Sequence, residues 1–145
     1  MKVVVIGAGV VGSSIGYRLA EAGAAVTVLD AGRVGGGTSA CSFAWTNSHR
    51  GDVPVEYHAL RVASMRLYPE LQRQFGDAPW FHQTGNVEWG RPGLEENVRN
   101  LQGRGYRAEW IGRERLLELE PGVDPAAVGD ETIAWYPDDG WVDPV

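Results

Sequence analysis

The sequence predicts an α/β fold: a parallel βαβ unit at the amino end, followed by mixed α+β segments that leave the fold incomplete. Three observations carry this. Val3–Ile6 is a run of four β-branched residues, the mark of a strand inside a parallel sheet. Glycines at 7, 9 and 12 follow it and open a helical pattern. A second apolar run, Ala25–Leu29, ends on Asp30.

Each element of that unit has a physical reason. Lys2–Ile6 forms the first strand, expected to be buried on both faces. A helix follows from about residue 10 to residue 22, with Val11, Ile15 and Leu19 as its apolar stripe. Gly12 and Gly16 lie near that stripe and let the helix approach the sheet. Gly23 suits the helix end, because glycine tolerates the left-handed conformation. Gly7-Ala8-Gly9-Val10-Val11-Gly12 matches G-x-G-x-x-G. In a Rossmann-like unit Gly7 permits the tight turn, Gly9 admits a pyrophosphate to the backbone, and Gly12 allows close helix–strand packing. Helix N-terminal N–H groups favour the phosphates. Asp30 stands where a carboxylate would accept ribose hydroxyls, which makes a 2′-phosphate unwelcome.

Composition bounds the rest. A chain of 145 residues has room for one modest domain. Hydrophobic residues at 43% and aromatics at 10% indicate a globular chain. The formal charge of -6 and a pI near 5.0 argue against nucleic acid or an anionic membrane as partner. The single cysteine, Cys41, cannot form an internal disulfide, which suits a reducing compartment. The apolar start imitates a secretion signal, but its glycines, Arg18 and Glu21 interrupt the run. A cytoplasmic protein is expected.

After Asp30 comes a long glycine- and hydroxyl-rich segment, Ala31 to Ser48, where an NAD enzyme would be expected to continue with another helix and parallel strand. With Gly37-Thr38-Ser39, this resembles the D-amino-acid-oxidase-like family of FAD-dependent oxidoreductases, which includes glycine oxidase, sarcosine oxidase and D-amino-acid dehydrogenase. Three further blocks are similar to that family's pattern: Thr84-Gly85-Asn86-Val87-Glu88-Trp89, Leu116 to Gly122 with its Glu120-Pro121, and Asp139-Gly140-Trp141-Val142-Asp143-Pro144. The resemblance implies FAD as cofactor and an FAD-binding region over residues 1–76. A partial substrate domain over 77–136 and a return segment over 137–145 would follow. It places Gly7, Gly9 and Gly12 at the FAD pyrophosphate and Asp30 on the adenosine ribose. It puts Arg33 on the adenosine side, Thr38 and Ser39 near the phosphates, and Ala40, Cys41 and Ser42 toward the flavin.

The implied chemistry is oxidation of an amine or amino acid by hydride transfer to flavin, and no catalytic residue is assigned. The alternatives are an NAD-dependent dehydrogenase and a non-catalytic truncated product or subunit of a split enzyme. Family members are much longer, so an amino-terminal portion is expected, possible partners being a small amine or amino-acid substrate and a complementary chain.

Downstream, Asp52 is expected to cap a helix begun by Pro54, with Leu60, Ala63, Leu67, Leu71 and Phe75 as a core stripe split by Pro69. Gly76-Asp77-Ala78-Pro79 breaks the pattern, and a domain boundary is expected there. Strands are expected over 81–89, 107–111 and 131–136, and helices around Leu94–Leu101 and over 113–120. The turn Pro137-Asp138-Asp139-Gly140 follows. His49 and Arg50 read as a solvated loop end, Cys41 as a small half-buried residue, and Trp80, Trp89, Trp110, Trp135 and Trp141 as mostly core. His58 and His82 lack a second ligand at metal spacing, so no metal site is expected.

Overall fold

The computed structural model describes residues 1–76, 78–129 and 132–143. They form two compact units: residues 1–44 joined by Asp143, and residues 45–142. The helical break at Gly76 thus lies inside the second unit.

In the first unit, strand β1 (Lys2–Ile6), helix α1 (Val10–Glu21) and strand β2 (Ala25–Leu29) fall where the apolar pattern puts them. The strands pair in parallel, with Lys2 opposite Ala25 and Ile6 opposite Leu29. Gly23 ends the helix at φ +83°, a conformation that favours glycine. A 3-10 turn spans Thr38–Cys41.

Two expectations about packing are corrected. The helix meets the sheet through glycine: a Cβ on buried Gly16 would lie 3.2 Å from Val28 Cγ2. Val11 and Ile15 are exposed, because with Gly12 and Gly16 against the sheet the neighbouring stripe turns outward. β1 is covered on one face, where Val3 and Val5 are half-buried, whereas Val4 and Ile6 are exposed, Ile6 at 87%. A two-stranded sheet with one helix has a single covered face, so the continuous apolar run outstrips the partners within this unit.

The second unit holds two three-stranded antiparallel sheets. In one, β8 (Gly140–Val142) lies between β3 (Trp45–Thr46) and β4 (Phe81–His82). In the other, β7 (Ile133–Tyr136) lies between β5 (Asn86–Glu88) and β6 (Glu109–Ile111). The strand expected over 81–89 is two strands. Gly85, at φ +80°, interrupts it, and a Cβ there would meet Trp135 Nε1 at 2.6 Å. Glu131, assigned to the last strand of this sheet, lies outside the described residues, as do Asp77 and Pro144.

Helices α2 (Val55–Met65), α3 (Tyr68–Phe75), α4 (Leu94–Gly103), α5 (Arg113–Leu119) and α6 (Pro125–Val128) complete the unit. The main core joins α4 to β7: Leu94, Val98 and Leu101 pack with Tyr106, Ala134 and Tyr136. Fully burying one such leucine contributes about 1.5–3 kcal/mol. A smaller core forms around Leu116, Val128 and Ile133.

The expected stripe on α2 and α3 is wrong in part: Leu60, Leu67 and Phe75 are exposed, while His58 is buried and Val62 and Met65 face the core. Pro69 does separate the two helices, at the first turn of α3. Asp52 does not cap α2. It forms an ion pair with Arg50 at 2.5 Å, and Pro54 occupies the cap position. The tryptophans are also less buried than expected: Trp110 and Trp141 are exposed and Trp80, Trp89 and Trp135 half-buried.

Candidate functional site

The exit of β1 builds a backbone mouth. Gly7 takes φ +102°, outside the range of residues with a side chain, and its N–H donates to Leu29 O at 2.7 Å. The chain then turns directly into α1. A Cβ on Gly12 would lie 1.9 Å from Gly7 O, so only glycine permits the strand exit and helix start to meet this closely. Gly9 is the residue before the helix, and a Cβ there would stand 3.1 Å from Ser39 Oγ.

The N–H groups at this mouth divide into two sets. Ala8 N donates to Asp30 Oδ2 at 2.7 Å, and Val10 N donates to Ser39 Oγ at 2.9 Å. Those of Gly9, Val11 and Gly12 have no acceptor among the described residues. Free N–H groups at the start of a 12-residue helix suit an anion. The residues present therefore fit a diphosphate, which would meet backbone there and no Cβ on Gly9 or Gly12.

Asp30 stands at the tip of β2, exposed, with Oδ1 accepting from Gly32 N at 2.8 Å. The Ala8 N–H first, then that of Gly32, hold its carboxyl below the usual carboxylate range. Two of its roughly four acceptor positions are used, so its remaining lone pairs suit ribose hydroxyls. The hydroxyl-rich segment folds back on the loop. Gly35 N donates to Ala8 O at 2.9 Å, and Ala40 N to Gly35 O at 3.0 Å. The structure thus gathers Gly7, Gly9, Gly12, Asp30 and Ser39 around one mouth. Ala8, buried at its centre, escaped the sequence reading because its role is played by its backbone alone.

Arg33, Thr38, Cys41 and Ser42 are exposed and Ala40 is half-buried. No side-chain bond ties Arg33 or Thr38 to the mouth among the described residues, and Ser42 Oγ accepts from Ala44 N at 3.0 Å. Cys41, expected to be half-buried, is exposed on the 3-10 turn because its short helix packs no core beneath it.

The second unit carries a buried polar centre that the sequence reading missed. His49, expected to be solvated, is buried, with Nδ1 2.5 Å from Asp139 Oδ2. Asp139 is fully buried and also accepts from Ser48 N and the Tyr106 hydroxyl. Burial, then the Asp139 charge, pushes the Tyr106 hydroxyl far above its usual range, so it stays a donor. His58 is buried against Ser48 O at 3.0 Å, and burial lowers its pKa. Asn97 anchors the loop by donating to His49 O and accepting from Gly51 N. Among the described residues no group of three or more His, Cys, Asp or Glu side chains could hold a metal.

A parallel βαβ unit with a glycine-lined helix mouth and an acid at the second strand's tip defines a Rossmann-type nucleotide-binding class. Within it, the chain belongs to the FAD dependent oxidoreductase (DAO) family, which it matches over residues 2–145. It is 28% identical to 4-methylaminobutanoate oxidase (formaldehyde-forming) of Paenarthrobacter nicotinovorans, a match covering 99% of this chain and 18% of the relative. It is 26% identical to glycine oxidase of Bacillus licheniformis, covering 97% and 39%. The solved structure of L-proline dehydrogenase from P. horikoshii superposes with a TM-score of 0.84 at 26% identity, over 99% of this chain and 38% of that one. The chain therefore spans well under half the length of these relatives.

Proposed function

We propose that this chain is the FAD-binding amino-terminal part of an oxidoreductase that oxidises a small amine or amino acid. The observation that carries the reading is the mouth at β1: three N–H groups, those of Gly9, Val11 and Gly12, have no acceptor among the described residues, at a helix start that a Cβ on Gly12 would close. Gly7, Gly9 and Gly12 would face the pyrophosphate and Asp30 the adenosine ribose. Ser39 would order the approach by holding Val10 N. Arg33 would stand on the adenosine side, Thr38 near the phosphates, and Ala40, Cys41 and Ser42 toward the flavin. When bound, FAD supplies the acceptor for the two electrons leaving the substrate carbon beside nitrogen. The protein holds and orients it.

The relatives named glycine oxidase, 4-methylaminobutanoate oxidase and L-proline dehydrogenase support amines and amino acids as the substrate class. The match to the whole FAD family disfavours the NAD-dependent alternative. The exposed Val4 and Ile6 on the open sheet face of the first unit support a complementary segment or chain that covers them. No helix among the described residues is long and apolar enough to cross a membrane. The lone cysteine supports a cytoplasmic site of action.

The experiment is a titration of the chain with FAD, NAD and NADP, followed by assay of flavin-loaded protein with glycine, proline and 4-methylaminobutanoate. Tighter binding of FAD than of either nicotinamide, with amine-dependent flavin bleaching, is expected. Preferential binding of NAD would overturn the assignment.

A further inference from the structure

The buried centre of the second unit contains a histidine oriented by a carboxylate, and the diphosphate mouth does not use it. Asp139 receives three donors: Ser48 N at 3.2 Å, the Tyr106 hydroxyl, and His49 at 2.5 Å. An ionised carboxylate only accepts, so the His49 nitrogen facing it, Nδ1, carries a hydrogen. In neutral His49 the lone pair is then on Nε2. Nε2 has no hydrogen-bond partner among the described residues. Among the described residues the buried side-chain atoms left without partners are Thr46 Oγ1 and Ser48 Oγ, and Nε2 is not one of them. The ring is held between Tyr136, stacked at 4.9 Å, and Trp45, at 5.1 Å. Trp45, whose ring stands beside the imidazole, is 44% exposed.

We propose that His49 is the group that accepts a proton from a cationic amine, with Asp139 as its positioning residue. This rests on the amine-oxidising reading above and deepens it. An alkylammonium has no lone pair on nitrogen and does not release hydride from the neighbouring carbon. In the step assigned here one ammonium N–H bond breaks and an N–H bond forms at His49 Nε2. The electron pair stays on the now neutral amine, and the new imidazolium is balanced by Asp139. Tyr106 and Ser48 N keep that carboxylate in place.

The groups around the dyad are few. Tyr136 on β7 donates its hydroxyl to Glu88 on β5, which is paired with Arg91. His58 on α2 contacts Ser48 O, and Asn97 on α4 holds His49 O. Asp139 is the carboxylate in direct contact with the ring.

The test reads the imidazole first. Protein with 15N-labelled histidine is examined by long-range 1H–15N correlation near pH 8, with and without dimethylammonium chloride as the cationic probe. His49 is expected as the Nδ1–H tautomer, with Nε2 resonances moving on addition of the probe. In Asp139→Asn the amide oxygen still accepts from Tyr106, while its NH2 faces Nδ1 and switches the ring to Nε2–H. In flavin-loaded enzyme the same change should lower kcat/KM for the amine at pH 7 by about 10²-fold, the scale of general-base catalysis. That deficit should shrink as pH approaches the amine's own pKa, where substrate arrives deprotonated. His49→Gln should show the same shrinking deficit.

An Nε2–H tautomer in the unaltered protein, an imidazole indifferent to dimethylammonium, or a pH-independent deficit would overturn the proposal and leave the dyad a structural brace. Failure to oxidise any amine would count against the function proposed above. The tautomer and the dimethylammonium response would still decide the dyad.

Discussion

Replacing Gly12 by alanine puts the account of the mouth under the most direct strain. The added Cβ would lie 1.9 Å from Gly7 O and 3.0 Å from Gly7 C. A carbon–oxygen contact settles at about 3.3 Å or more, so α1 and the strand exit must separate by roughly 1.4 Å. The atom in the way is backbone, and Gly7 O cannot swing aside as a side chain would. Overpacking of this kind costs about 1–3 kcal/mol of stability. The same displacement carries the N–H groups of Val11 and Gly12 out of hydrogen-bonding range of a diphosphate. Each charge-assisted bond contributes about 1.5–3 kcal/mol, so losing two weakens FAD by at least about 10²-fold. The assay is quenching of flavin fluorescence on titration, with unfolding followed in parallel. Gly23→Ala is the control: it strains a residue at φ +83° with open space around it, and lowers stability while leaving FAD affinity unchanged. A folded Gly12→Ala protein that binds FAD within threefold of the original would refute the reasoning.

Other outcomes follow from single contacts. Ser39→Ala removes the acceptor for Val10 N and should cost about 0.5–2 kcal/mol, with faster hydrogen exchange at the start of α1. Asp30 has a lowered pKa, so its contribution to stability is present above the ordinary carboxylate range and is lost as pH falls through its folded value. Urea unfolding between about pH 5 and pH 2 should show an acid loss that Asp30→Asn reduces. Burial lowers the His58 pKa below its usual 6.5, so the unfolded chain takes up a proton first on acidification. Stability should therefore fall as pH drops below about 6.5, and His58→Gln should flatten that slope. Tyr136→Phe removes the hydroxyl that donates to Glu88 and accepts from Asn97 and should cost about 1–3 kcal/mol in thermal unfolding.

The first thirty residues were legible because their signals are local. Strand propensity at Val3–Ile6, glycine spacing and the acid after Leu29 each act through the nearby chain, and the three elements fall at their expected positions. Ser39 and Asp30 were legible as positions but not as braces of the loop, since their bonds to Val10 and Ala8 span 29 and 22 residues. Helix α4 was legible through the spacing of Leu94, Val98 and Leu101. The two helices before it were misread, since Leu60 and Phe75 look like core residues in a periodic pattern whatever covers them. Whether an apolar side chain is buried depends on a partner surface, and the open sheet face at Val4 and Ile6 shows the same thing. The His49–Asp139 pair was the least visible feature, because 90 residues separate two groups that neither periodicity nor motif connects. The His49 loop is polar, and polar loops usually meet water. Here Asp139 supplies the interior partner instead.

The central claim concerns the amides at the exit of β1. It is tested most directly by titrating 15N-labelled protein with FAD and following backbone 1H–15N resonances. The account predicts saturable shifts at Gly9, Val11 and Gly12, with Asp30 and Ala8 responding to the adenosine half and little change for NADP. Unmoved resonances at those three amides under saturating FAD, or equal shifts with NADP, would contradict it.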